Sequence, residues 1–386
     1  MNRKQFLILL AVLVVLAAAG AGVLVSDRSA WKSADSRIGQ RLVPGLRISD
    51  VAGIAIRDAS GELHLAKGEG GWTVRERAGF AADTGRIGEL LLKLAELKIV
   101  QDESLPESQR TRLQLVEPKD GTTPGAGTLL ELKDAKGATL ARLLLGRKVM
   151  KNAEAASPGG DAGEATGRYL VAANDARTML VVSEPFSQVE AKPDEWLIKD
   201  LIRAERVKSI ASIGGDGRQR WRVTRDNDSA DWKFAGSKEK PDLQKATDLA
   251  SSLGWVNLVD VVADPAKADT GLERAVAIKA DTFDGLAYTL RIGNKAGDNY
   301  YVGIAAAGEP LKARTPEKGE KAGDKANKDK EFDERRKKLE EQLGREKQLG
   351  RWTYLVAKSG IEPLLRERAQ LLPEKKKDAK ETAKKI

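Results

Sequence analysis

Cysteine is absent from this 386-residue chain, and His64 is its only histidine. Without cysteine there are no disulfides, no thiolate nucleophile and no Cys-ligated zinc or iron–sulfur centre. A lipoprotein anchor, which needs a cysteine behind its signal, is excluded as well. A cysteine-free chain fits an oxidising compartment without requiring one. With one histidine and no cysteine, neither a Ser-His-Asp nor a Cys-His triad has support. G-x-S-x-G, Walker and H-E-x-x-H patterns are all missing. Charge of one sign is also lacking, since 66 basic residues are interleaved with 57 acidic ones for a net charge of +9. No nucleic-acid-binding motif accompanies that surplus, so no nucleic-acid partner is expected.

Long apolar runs are equally scarce; one stands out. Phe6 to Val25 is uncharged and follows Arg3 and Lys4. A helix of that length spans ~30 Å, the thickness of the hydrocarbon layer. The basic flank, residues 1–5, should stay in the cytoplasm and the rest of the chain on the far side. The small residues Ala17–Gly22 also suit a cleavage site. The run continues through Val23, Leu24 and Val25, which favours a retained anchor over residues 6–25. The expected location is therefore the inner (cytoplasmic) membrane, single-pass, with the bulk of the chain in the periplasm. Residues 26–47 read as a juxtamembrane linker.

What the chain does have is a statement made twice. "GWTVRERAGFAADTGRIGELLLKLAELKIV" (Gly71–Val100) is echoed by "DWKFAGSKEKPDLQKATDLASSLGWVNLV" (Asp231–Val259). Counted from Asp83, apolar residues fall at Ile87, Leu90, Leu91, Leu94, Leu97 and Val100. Counted from Asp242, they fall at the same offsets: Ala246, Leu249, Ala250, Leu253, Val256 and Val259. This is helical periodicity with one buried stripe, each Asp being placed to cap the first turn. A hairpin precedes each helix, with Trp72 and Val74 returning in one and Trp232 and Phe234 in the other. Upstream strands are predicted at Val51–Ile56 and Val207–Ile213. Downstream, both copies close in Leu-x-(Leu/Ile)-Gly-x-Lys, ending at Lys148 and Lys295. A last strand then follows, "GRYLVA" around Tyr169 and "RWTYLVA" around Tyr354. The predicted fold class is α+β, with an N-terminal transmembrane helix and two tandem repeats, residues 48–203 and 204–372. In each, a mostly antiparallel sheet carries one helix on one face. Residues 309–350 form a charged insertion, disordered in its first half and a solvated helix from Lys330 to Leu349, with Phe332, Leu339 and Leu343 as sparse apolar positions. In the junction, Trp196, Leu197, Leu201 and Ile202 predict a short packed helix. Residues 373–386 are a charged tail.

No residue emerges as catalytic, cofactor-binding or metal-ligating, and no cofactor is expected. His64 should lie at the surface, turned away from Leu63 and Leu65. "GGDG" (Gly214–Gly217) lacks the helix and Lys-Ser/Thr of a phosphate loop and reads as a turn. "DNDSAD" (Asp226–Asp231) lacks the glycine and distal glutamate of a calcium loop. Glu340 and Glu341 sit in mixed charge and read as a solvated face. Trp72 and Trp232 read as core.

These residues resemble the bacterial domain-of-unknown-function family 4340. The likeness lies in the Trp72-x-Val hairpin with Ala82-Asp83 after it, the Leu143–Gly146 strand end, Tyr169-Leu-Val and the "DEWL" of Asp194–Leu197. The resemblance implies a membrane-anchored envelope protein, associated with a gliding-motility-type ABC transport system. It implies a non-catalytic accessory subunit whose partners are the ABC permease or auxiliary envelope proteins, with the membrane held through residues 6–25. A periplasmic binding module for an envelope glycan or lipid is the alternative expectation. The resemblance carries over no catalytic residue and identifies no small-molecule ligand.

Overall fold

The structure is a computed structural model that describes residues 37–119, 123–151, 164–172, 175–254, 256–316 and 320–374. The apolar run Phe6–Val25 lies outside these residues. Among the described residues no helix is long and apolar enough to cross a membrane.

The first half of the chain runs through β1 (Gly53–Asp58), β2 (Gly61–Gly68), β3 (Gly71–Val74), β4 (Phe80–Ala81), α1 (Thr84–Glu96), β5 (Ile99–Ser104), β6 (Thr128–Lys133), β7 (Thr139–Met150), β8 (Ala165–Ala172) and β9 (Asp175–Val182). The second half runs through β10 (Val207–Ile213), β11 (Gln219–Thr224), β12 (Lys233–Phe234), α2 (Leu243–Gly254), β13 (Leu258–Val261), β14 (Val276–Thr282), β15 (Leu286–Ala296), β16 (Asn299–Gly308), α3 (Ala322–Glu346) and β17 (Thr353–Ala357). The protein is α+β, with two mostly antiparallel sheets and a few helices. One sheet is ordered β4-β3-β2-β1-β6-β7-β8-β9-β5 and the other β12-β11-β10-β14-β15-β16-β17-β13. Set aside the short β4 and the two orders match strand for strand. The duplication read in the helices is thus a duplication of topology.

The local signals have direct structural counterparts. Asp83 Oδ1 accepts the Arg86 N–H at 3.0 Å, and Asp242 Oδ1 accepts the Lys245 N–H at 3.0 Å. Both bonds satisfy an amide that the first helical turn leaves without a partner. Ile87, Leu90, Leu91 and Leu94 are buried on α1, and Ala246, Leu249 and Leu253 on α2. Alternation then organises the sheets: Leu286, Tyr288, Leu290 and Ile292 are all buried on β15, as a period of two requires. Replacing either Asp83 or Asp242 by Ala should cost about 1 kcal/mol of stability. Urea titration should show a lower midpoint at unchanged slope. A loss below about 0.3 kcal/mol at either site would remove the capping role from that residue.

Four details differ from the sequence reading. First, α1 ends at Glu96 and α2 at Gly254, so the last two matched positions are not helical. Leu97 and Val100, and likewise Val256 and Val259, belong to the exits and the edge strands β5 and β13. Val100 is 54% exposed. Secondly, "GRYLVA" lies in β8 and "RWTYLVA" in β17, which are not equivalent strands; β8 corresponds in order to β16, and β9 to β17. Thirdly, only Pro193–Trp196 of the junction is helical, a single 3₁₀ turn, while Leu201 and Ile202 are buried in irregular chain. Fourthly, α3 begins at Ala322, well before Lys330.

By packing, the described residues form two compact units, those within Ile87–Ala191 together with those up to Glu62, and Leu63–Arg86 together with those from Lys192 onward. In the first unit Leu105, Leu113, Leu115, Leu144, Val171 and Met179 form an apolar cluster. Arg168 is 8% exposed there. Its Nε donates to the Gly146 carbonyl at 2.8 Å, and its Nη1 to the carbonyls of Pro185 and Phe186 at 3.2 and 3.1 Å. Desolvation lowers its guanidinium to about 10, partly opposed by the charge of Glu190.

In the second unit, the segment Leu63–Arg86 is bound by specific contacts. Ala82 bridges Leu197, the Asp83 N–H donates to the Trp196 carbonyl at 2.8 Å, and the Ile198 N–H donates to that of Ala81 at 3.2 Å. Arg77 forks onto Asp260, Nε to Oδ1 at 2.6 Å and Nη2 to Oδ2 at 2.8 Å. Phe80 meets Trp352 and Tyr354 edge-on, with centroids 5.1 and 5.8 Å away.

Candidate functional site

Matching strand orders make the differences between the halves easy to find. Residues 173–174 alone separate β8 from β9, whereas residues 309–352 lie between β16 and β17. The insertion begins against the β14–β15 turn. Leu311 N–H donates to the Asp284 carbonyl and Glu309 N–H to that of Gly285, each at 3.2 Å. Gly285 has φ +88°, and a Cβ there would stand 2.3 Å from the Glu309 carbonyl oxygen. Only glycine permits both the backbone angle and the approach.

Two polar clusters then hold α3 to the sheet. At its C-terminal end Glu346 is 5% exposed. Its Oε2 accepts the Tyr288 hydroxyl at 2.9 Å, and its Oε1 accepts Gln342 Nε2 at 2.9 Å and the Arg203 N–H at 3.2 Å. A buried carboxylate requires such donors. Burial, and then the negative charge of Glu346, pushes the Tyr288 phenol far above its ordinary value of 10. Further along, Asp284 is 7% exposed and receives two guanidinium groups, from Arg206 Nη1 at Oδ1 and from Arg335 Nη2 at Oδ2, the latter at 2.8 Å. Arg206 also donates from Nε to Asp228. Burial works to lower the Arg206 guanidinium, but Asp228 and Asp284 together raise it. Arg314 ties the preceding loop to α3 through Glu320 and Asp329, at 2.8 and 2.6 Å.

Between the loop, the turn and α3 lies a pocket of about 300 Å³, walled by Phe283, Leu311, Phe332 and Leu339, with Arg206 and Arg335 over Asp284. The opposite face of α3 carries exposed residues of both signs, among them Lys330, Asp333, Lys337, Glu340 and Glu341, with exposed Lys338 on its flank. The arrangement offers a charged outer surface and a small amphipathic pocket beneath it.

The residues considered from sequence are not drawn together here. His64 is partly buried and not fully at the surface, with Nδ1 2.7 Å from Glu76 Oε1 and its backbone N–H on Oε2 at 2.9 Å. It does face away from Leu63 and Leu65, which are buried. Gly214–Gly217 is a β10–β11 turn, closed by the Gly217 N–H on the Gly214 carbonyl at 2.9 Å. In the Asp226–Asp231 turn, Asp226 pairs with Lys233, and Asp228 with Arg206 and Arg225. Trp72 and Trp232 are 7% and 5% exposed and belong to the core, as expected. Glu340 and Glu341 are exposed. Asp284, Tyr288, Arg335 and Glu346 were not singled out from sequence. A signal existed for two of them. Phe332, Arg335, Leu339, Gln342 and Glu346 recur at intervals of three and four, one stripe of a helix, but three of its members are polar.

The geometry defines a two-sheet α+β protein of duplicated strand order, with a charged helical arm docked on its second sheet. The profile of the family described as Domain of unknown function (DUF4340) matches residues 72–275. The match covers more than half of the sequence, and the chain belongs to that family. It includes Trp72, Asp83, Leu143–Gly146, Tyr169 and Asp194–Leu197, and ends before β14, so α3 and the pocket lining other than Arg206 lie beyond it. No curated protein and no solved structure matches the chain.

Proposed function

We propose that the protein is a non-catalytic, single-pass membrane-anchored accessory subunit of an envelope ABC-type transport system, with its body in the periplasm, acting as a scaffold for partner proteins. The observation that carries this reading is the docked helix α3. What the two halves share is core and caps, and those residues are committed to folding. What the second half adds is a 25-residue helix, held down at Asp284 and Glu346 and exposed along its charged outer face. A fixed surface of interleaved charge supplies specificity and register to a protein partner. The apolar run Phe6–Val25 with Arg3 and Lys4 before it supports the anchor and its orientation. The association with a permease and ATPase comes from the family resemblance. Tagged protein extracted from its native membranes in mild detergent should retain an ABC permease or its ATPase. Repeated recovery without either would remove the transport assignment.

A further inference from the structure

The structure assigns to the pocket beside Phe283 a site for a single-headed anionic amphiphile, a carboxylate or phosphate on a short alkyl chain. This site is independent of the scaffold reading and uses the inner side of the insertion, away from its charged outer face. Four large apolar side chains converge on the cavity, and none is fully buried: Phe283, Phe332 and Leu339 are partly exposed and Leu311 is 48% exposed. The rest of the lining is Pro310 and six polar or charged residues, four of them arginines, so an apolar wall open to solvent meets convergent polar groups, as in a ligand pocket. Its volume of about 300 Å³ is at the small end of such sites, ~300–1,000 Å³, which limits the chain to a short one.

The polar groups favour an anion. Asp284, the acid lining the pocket, is divided between Arg206 and Arg335. Arg225 and Lys208 stand beyond, with Arg225 Cζ 5.8 Å and Lys208 Nζ 6.0 Å from the centroid of the Phe283 ring, and Arg206 Cζ also at 6.0 Å. Arg206, Arg225 and Arg335 share the two carboxylates Asp228 and Asp284. Three guanidinium groups thus meet two carboxylates, with Lys208 close by, while Glu205, Glu331 and Glu334 line the adjoining groove on the other side of Arg335. Arg335 spends one Nη2 contact on Asp284, and its side chain is 44% exposed. A guanidinium has five N–H donors in a planar fork suited to a carboxylate or phosphate. Arg314 at the rim is engaged by Glu320 and Asp329, and Arg336 pairs with Asp333 and donates from Nη1 to the Lys312 carbonyl while its buried Nε has no hydrogen-bond partner. Arg206 is likewise held by Asp228 and Asp284, so the head group falls first to Arg335, and the chain to the Phe283–Phe332–Leu339 wall.

The test uses the full chain in lipid nanodiscs and a decanoate bearing a terminal diazirine as probe. Irradiation should label peptides containing Phe283, Phe332 or Leu339. Decanoate or decyl phosphate should compete, the stronger of the two identifying the head group, while decanol should compete at least about tenfold less well. Arg335→Gln, at a half-exposed side chain, should reduce labelling at least about tenfold with unchanged circular dichroism. Asp284→Asn should raise labelling, because both guanidinium groups are then released to the ligand. Labelling elsewhere, equal competition by decanol, no effect of Arg335→Gln, or reduced labelling in a folded Asp284→Asn protein would each overturn the assignment.

Discussion

Replacing Trp196 by alanine is expected to lower the free energy of unfolding by about 4 kcal/mol, the range for deleting a large aromatic side chain from a packed interior. Trp196 has no solvent exposure. It ends the short turn Pro193–Trp196, and its carbonyl receives the Asp83 N–H. The Arg86 guanidinium stands 4.7 Å from the centre of its ring. That guanidinium is held in place by the Glu195 carbonyl at 3.0 Å and by Glu195 Oε2 at 3.1 Å. The substitution therefore opens a cavity and removes a cation–π contact where Leu63–Arg86 meets the rest of the second unit. Chemical denaturation of Trp196→Ala beside Asp83→Ala should rank the two at about 4 and 1 kcal/mol. Equal losses would mean that the indole is not what secures this segment.

The second large effect appears in alkali. Burial alone raises the Tyr354 phenol far above 10, and burial with the Glu346 charge does so for Tyr288. In the unfolded chain both phenols release their protons near pH 10, whereas in the native state they keep them. Above that pH the unfolded state binds fewer protons, so stability falls as pH rises. Below it their contribution is fully present. Each phenol should remove about 1.4 kcal/mol per pH unit. Arg168 acts in the opposite sense above pH 10, because its native guanidinium loses its proton near there, before the unfolded one does. The comparison with Tyr288→Phe/Tyr354→Phe removes that contribution, since Arg168 is common to both proteins. The stability advantage of the wild type over the double variant should shrink by about 2.7 kcal/mol per pH unit above pH 10. A constant gap between pH 9 and 11 would show that the two phenols ionise alike in both states.

Features fixed by near neighbours were legible in the sequence. The caps at Asp83 and Asp242, the buried stripes that follow them and the span of β10 all depend on residues a few places apart. The edge strands were not. Of Ile99–Ser104 only Ile99 is buried, so β5 shows no alternation, and Leu97 and Val100 extend the helical period of α1 by coincidence. Strand equivalence failed for a related reason. "YLVA" recurs in β8 and "YLVA" again in β17 because buried strands favour the same residues, whatever their place in the order. The docked arm was hidden by its chemistry. The face that α3 turns inward contains Arg335, Gln342 and Glu346, which read as solvated until their partners are known. Those partners are distant: Tyr288 is 58 positions from Glu346, and Arg203 is 143. Local periodicity carries no information about such pairs.

The central claim is that the duplicated core is a platform and that the charged face of α3 is the working surface. Its most direct measurement is quantitative recovery of the ABC permease or ATPase with the full chain from native membranes. Wild type should be compared with Lys337→Glu/Lys338→Glu/Glu341→Lys, which reverses charges on exposed positions of α3. The predicted result is a loss of at least about tenfold in recovered partner, as expected when like charges are juxtaposed across an interface, at an unchanged melting temperature. Undiminished recovery with the variant would contradict the account and move the binding surface off this helix.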